Sequence, residues 1–174
     1  MEDYLAPLAQ SGKLTEPGTV SSYNNTAWII AEIVLRKVTG KNFHELLEER
    51  VIAPLGLRRT VLSAREALLH RTAIGSFQTE TAENRSTPKF MFPDAWAAPG
   101  ATLITTVNDT MSFLRMHLAV GELMNGTRLL STDSVLAMQT PTSPDPTGWE
   151  TGFCLGWRYL ERDGAGGSLP NIAC

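Results

Sequence analysis

Residues 27–38 set the strongest constraint on this chain. Ala27, Trp28, Ile29, Ile30, Ile33, Val34, Leu35 and Val38 put apolar side chains around most of a helical circumference, and Gly40 supplies a C-terminal stop. Such a helix needs cover on nearly every side, so the pattern predicts a deeply buried core helix and a fold assembled around it. With 174 residues, 43% of them hydrophobic, the chain is long enough for one globular domain with a sizeable core. That composition excludes disordered, collagen-like and coiled-coil chains. The net charge is -3 and the basic residues do not cluster, so no nucleic-acid partner is expected. No apolar run is long enough to span a membrane, and acidic Glu2 and Asp3 follow Met1 where a signal peptide would be basic; the compartment stays open. Cys154 and Cys174 are too few for a disulfide framework or a zinc site. His44, His70 and His117 share no metal-ligand spacing and read as helix-surface or partly buried side chains. No metal and no cofactor is expected.

The pattern on either side of that helix is mostly helical. Residues 1–12 suit a short amphipathic helix ended by Gly12, and Pro17-Gly18 turns the chain. Asn42-Phe43-His44-Glu45 carries a capping box, with Phe43, Leu46 and Leu47 at helical spacing until Pro54 closes the segment. Residues 64–69 read as helix, 72–78 as a strand and 79–92 as a polar, Pro-containing loop. Thr106 to Asp109 looks like another helix start, leading towards Gly121, and Ser131 caps a short helix over residues 132–139. Cys154 through Leu160 reads as a strand turning at Asp163-Gly164. The fold class that results is α+β, mostly helical with sparse strands, in one domain.

Chemistry concentrates just ahead of the apolar helix. Tyr23-Asn24-Asn25 places a phenol and a carboxamide two positions apart, on the same side of an extended or tightly turned segment, an arrangement that suits acyl transfer. The bland alternative is that Tyr23 and Asn25 form a turn and a helix cap, since asparagine is among the best caps. Trp28, Trp96, Trp149 and Trp157 read as core or pocket wall, with Trp96 able to line a cleft.

The order of further landmarks gives the chain a resemblance. Pro17-Gly18, Tyr23-Asn24-Asn25, the helix ending in Thr39-Gly40, then Ile52-Ala53-Pro54-Leu55-Gly56-Leu57 and Thr60, resemble serine hydrolases related to class C β-lactamases and penicillin-binding proteins. Pro99-Gly100-Ala101, Thr105-Thr106, Asp109, Leu129-Leu130-Ser131 and Leu155-Gly156-Trp157 continue the likeness in order, over roughly residues 2–160. The resemblance implies the helical region of the β-lactamase/transpeptidase-like fold with an incomplete antiparallel sheet, residues 1–174 being a partial hydrolase domain. It also implies a small-molecule ester, amide or β-lactam substrate, attacked by a serine whose proton a lysine and a tyrosine manage. Tyr23 matches that tyrosine and Asn25 the amide that orients the substrate carbonyl. A free phenol has a pKa of about 10, so Tyr23 acts as a base near neutrality only beside a cation, in the family the lysine of Ser-x-x-Lys.

That Ser-x-x-Lys motif is absent ahead of Tyr23. The one formal match, Ser86-Thr87-Pro88-Lys89, follows the tyrosine in a polar loop and reads as coincidence. The third family motif is also missing, unless Gly164-Ala165-Gly166-Gly167 is its remnant with Ala165 in place of histidine. Two expectations follow: part of a serine hydrolase, inactive as this isolated chain and completed by a complementary segment or partner chain, or a catalytically dead relative used for binding or left as a truncated gene product.

Overall fold

The computed structural model describes residues 2–13, 15–20, 24–87, 103–142, 152–160 and 171–173. The chain divides into two compact units, one made by Asn24–Phe113 and the other by Glu2–Tyr23 with Leu114–Cys174. Helix α1 (Glu2–Gln10) occupies the segment where the first helix was expected and belongs to the second unit.

The first unit starts with α2 (Thr26–Thr39), which ends where Gly40 takes a left-handed conformation at φ 72 and its N–H bonds to the Arg36 carbonyl. The boundaries are as expected, but the burial is not. Ile29 and Glu32, one turn apart, are buried, whereas Trp28, Ile30, Val34, Leu35 and Val38 are exposed, Val38 to 79%. Ile30, Val34 and Val38 form a four-residue-spaced stripe on the side of the helix opposite that buried pair. Apolarity around a helix states what it is able to bury; the cover is a matter of tertiary packing, and within its unit α2 packs against α3 (Phe43–Leu47).

Helix α3 opens on the expected capping box. Asn42 Oδ1 accepts from the Glu45 N–H at 2.9 Å, and Glu45 Oε2 accepts from the Asn42 N–H at 2.8 Å. Pro54 does not close this segment. The chain runs through a π-turn (Glu48–Ile52) into α4 (Ala53–Leu55), with Pro54 at its start, where a missing N–H costs little. Ile52, Leu57 and Leu62 then form a buried cluster packed by Leu47 and Leu55. Helix α5 (Ala64–Ala67) is capped by Ser63, whose hydroxyl accepts from the Glu66 N–H at 3.2 Å and donates to Glu66 Oε2 at 2.9 Å. That hydroxyl, followed by the Leu62 N–H on the same oxygen, holds the Glu66 carboxyl below its ordinary pKa.

Strands β1 (Ser76–Gln78) and β2 (Asn84–Ser86) pair antiparallel, with Phe77 opposite Arg85. The expected loop over 79–92 therefore contains a strand. Asn-Arg-Ser carries no β-branched or aromatic signal, and its extended form comes from the partner strand. An isolated antiparallel bridge joins Val61 to Ile104 through N–H···O bonds of 2.8 and 2.9 Å. The unit boundary falls inside α6 (Val107–Leu118), whose Thr106 hydroxyl oxygen accepts the Asp109 N–H at 3.3 Å.

In the second unit α6 ends in a Schellman turn. The Val120 N–H reaches the His117 carbonyl at 3.1 Å and the Gly121 N–H the Met116 carbonyl at 2.8 Å, with Val120 itself left-handed at φ 52. Arg128 Nη1 donates to the Val120 carbonyl at 2.7 Å and ties the following loop back onto this turn. Helix α7 (Thr132–Gln139) starts where expected, its Ser131 Oγ accepting the Ser134 N–H at 3.1 Å. A three-stranded antiparallel sheet in the order β3-β4-β5 follows, from β3 (Gly152–Phe153), β4 (Arg158–Leu160) and β5 (Asn171–Ala173). Cys154 through Leu160 is thus not one strand: Leu155-Gly156 turn the chain, closed by a Cys154 N–H to Trp157 carbonyl bond of 2.8 Å. Expected turn residues Asp163-Gly164 lie outside the described residues.

Met116, Val135, Cys154 and Trp157 are buried in this unit, and the His117 ring meets Trp157 edge-on at 4.9 Å and 75°. Burial raises the Cys154 thiol pKa and lowers that of His117. An imidazole whose folded pKa is lowered contributes stability that is fully present above the unfolded value of about 6.5 and is lost as pH falls from there through the folded pKa. Urea unfolding between pH 7.5 and 5 is expected to show this loss, and His117→Phe to flatten the slope. An unchanged slope would exclude His117 as its source.

Candidate active site

In sequence, the residues expected to carry chemistry come just before α2. Tyr23 lies outside the described residues. Asn25 is exposed, with helical backbone angles of φ -78 and ψ -18 and no cap bond from its side chain. Its carbonyl accepts the Ile29 N–H at 3.3 Å, so Asn25 enters the helix through its backbone alone. The capping is done one residue earlier: Asn24 Oδ1 accepts the Ala27 N–H at 3.1 Å. Asn24→Ala is therefore expected to cost about 1 kcal/mol of stability, and Asn25→Ala less than about 0.5 kcal/mol. Equal losses in urea unfolding would return Asn25 to the role of cap.

Sequence reading marked Thr60, Thr105, Thr106 and Asp109 as separate landmarks; the fold brings them together. Asp109 Oδ2 accepts the Arg59 backbone N–H at 2.8 Å and the Thr60 hydroxyl at 2.9 Å, and Thr60 and Thr105 hydroxyls lie 2.8 Å apart. The bridge between Val61 and Ile104 sets that register, because it aligns the residue before Val61 with the residue after Ile104. Thr60 is 6% exposed, so its hydroxyl sits in a site where an unpaired polar group is costly. The signal available in sequence was the pairing of a lone threonine after an apolar segment with an acid at a helix start, but nothing local to either links them.

Ser86, the formal Ser-x-x-Lys match, ends β2 opposite Ser76 rather than starting a helix, and Lys89 lies outside the described residues. So do Trp96, Trp149, Pro99-Gly100-Ala101 and Ala165. Of the last landmark, Leu155 and Gly156 form a turn and Trp157 is buried. Among the described residues no group of three or more His, Cys, Asp or Glu is placed to hold a metal ion, and no helix is long and apolar enough to cross a membrane.

These features are those of a β-lactamase/transpeptidase fold: a mixed helix and strand architecture with a small open antiparallel sheet. The Beta-lactamase family model matches residues 1–171, and the chain belongs to that family. It is 30% identical over 162 residues to penicillin-binding protein 4 of Amycolatopsis lactamdurans, covering 91% of this chain and 42% of that protein. The octameric penicillin-binding protein homologue of Pyrococcus abyssi superposes with a TM-score of 0.74 at 20% identity, covering 91% of this chain and 35% of the other. A D-stereospecific amidohydrolase from Streptomyces sp. gives 0.70 at 24% identity, covering 94% and 46%. The chain thus spans less than half the length of each of these relatives.

Proposed function

We propose that this chain is the tyrosine-bearing part of an acyl-transfer serine hydrolase domain, acting on a small ester, amide or β-lactam. In this reading Tyr23 carries the proton to and from the nucleophile and Asn25 orients the substrate carbonyl. The observation that carries it is the family match over residues 1–171; the roles given to Tyr23 and Asn25 rest on the Tyr-x-Asn resemblance in the sequence. Support from the structure is narrower: Asn24 takes over the capping bond, so the Asn25 carboxamide is not spent on the helix end. The amidohydrolase and penicillin-binding relatives support acyl transfer, their substrates being their own.

Residues 1–174 act in this proposal as one partial domain, and the nucleophile comes from a Ser-x-x-Lys segment outside them. The exposed stripe of Ile30, Val34 and Val38 is a surface that such a complementary segment or chain would cover. Alone, the 174 residues form no acyl-enzyme. Treating the purified chain with a fluorophosphonate is expected to leave its intact mass unchanged, and a chromogenic cephalosporin or a nitrophenyl ester is not turned over. The same residues joined to a Ser-x-x-Lys segment of the family are expected to be labelled at that serine. Labelling of the chain alone would overturn the division of parts, and no labelling in either form would favour the catalytically dead relative.

A further inference from the structure

The first unit contains an open hollow of about 670 Å³ lined by Arg59, Arg71, Thr72 and Ala73, distant in sequence from the tyrosine motif. Both arginines are exposed, and among the described residues neither takes part in an ion pair; the basic partners there are Lys13, Lys41, Arg85 and Arg128. Two arginines lining one concavity bring like charges to the same place, an anion there would offset them, and the planar fork of a guanidinium matches the paired oxygens of carboxylate and phosphate.

The backbone under both arginines is held in place. The Arg59 N–H is bound to Asp109 Oδ2 at 2.8 Å, and the next residue, buried Thr60, is bound to the same oxygen. On the other wall the Thr72 hydroxyl donates to the carbonyl of Ala67 at 2.7 Å, and Ala67 is fully buried. Its donor spent, the Thr72 oxygen contributes polarity to the lining while the charge comes from the arginines. Asp109, the acid nearest the Arg59 backbone, spends its Oδ2 on main chain and hydroxyl donors. The net charge of the whole chain is -3, so a local pair of cations without an ion-pair partner among the described residues runs against its average.

We propose that this hollow binds a small, doubly charged oxyanion, a phosphate monoester or a dicarboxylate, held between Arg59 and Arg71. Because the hollow is open, an organic group carried by the anion would extend past Thr72 and Ala73 without being excluded. The test uses the full chain at low ionic strength, titrated in turn with inorganic phosphate, phenyl phosphate and succinate while backbone amide shifts are followed by NMR. Saturable shifts at Thr72 and Ala73 are expected with at least one probe, phosphate against succinate deciding which oxyanion is preferred. Arg59→Gln and Arg71→Gln are each expected to weaken binding by about tenfold, and Arg65→Gln, an exposed arginine on α5 that does not line the hollow, to leave it unchanged. Each variant's amide spectrum in the absence of probe reports whether the fold is intact; if Arg59→Gln disturbs it, Arg71→Gln decides. Absence of saturable shifts with all three probes, or equal weakening by Arg65→Gln, would overturn the site.

Discussion

Gly121→Ala is expected to destabilise the second unit by about 3 kcal/mol or more, a fall of roughly 6–12 °C in melting temperature. The cost has two sources. Gly121 sits at φ 94, beyond the left-handed well that L residues tolerate, and strain of that kind costs of the order of 1–3 kcal/mol. A Cβ on Gly121 would also lie 2.2 Å from the Leu130 carbonyl oxygen and 2.9 Å from its carbon, so main chain would have to move. That main chain cannot retreat without loss: the Leu129 and Leu130 N–H groups both bond to the Gly121 carbonyl, at 2.8 and 3.3 Å, and Leu130 leads directly into the Ser131 cap of α7. Gly126→Ala separates the two sources, because Gly126 has φ 80 but open space where its Cβ would go. It is expected to lose about 1 kcal/mol, from strain alone. Urea unfolding of both variants checks this, and equal losses would show that the contact with Leu130 contributes nothing.

Gly121 also shows how a sequence signal is right for a reason it does not state. It reads as a helix stop, and α6 does stop there, but the left-handed residue that ends the helix is Val120. The glycine is needed one step later, for the close approach of residue 130, and that need is written nowhere near residue 121. Signals confined to a few residues transfer best: the Asn42/Glu45 box, the Gly40 stop and the Ser131 cap all appear as expected, because each is completed by atoms within a turn of itself. What depends on distant partners does not. The apolar residues around most of the circumference of α2 implied deep burial, yet the packing of this unit covers one face. Asn84-Arg85-Ser86 becomes a strand because β1 lies beside it, and the Leu155-Gly156 turn interrupts a run whose composition suits a strand throughout. At the candidate site, asparagine at the helix start was legible, but which of two adjacent asparagines makes the cap bond is set by backbone angles that the letters do not encode.

Asp109→Ala is expected to cost about 2–3 kcal/mol, because one carboxylate serves two donors from a segment about fifty residues away in sequence. The Arg59 N–H is solvent-accessible enough to find water, so the larger share comes from Thr60, whose buried hydroxyl is left with Thr105 alone. Thr60→Val removes the hydroxyl and keeps the shape, so it loses the bond without burying an unpaired donor, and about 1–2 kcal/mol is expected. The double variant is then expected to fall short of the sum by roughly 1 kcal/mol, since the Thr60 to Asp109 bond is counted in both single changes. A strictly additive cycle in urea unfolding would mean that the two side chains act independently and that the Thr60 to Asp109 bond contributes nothing to stability. A coupled cycle has a further consequence: the Arg59 backbone is pinned by the same carboxylate, so Asp109→Ala also loosens one wall of the arginine hollow and weakens oxyanion binding there, although Asp109 itself does not line it.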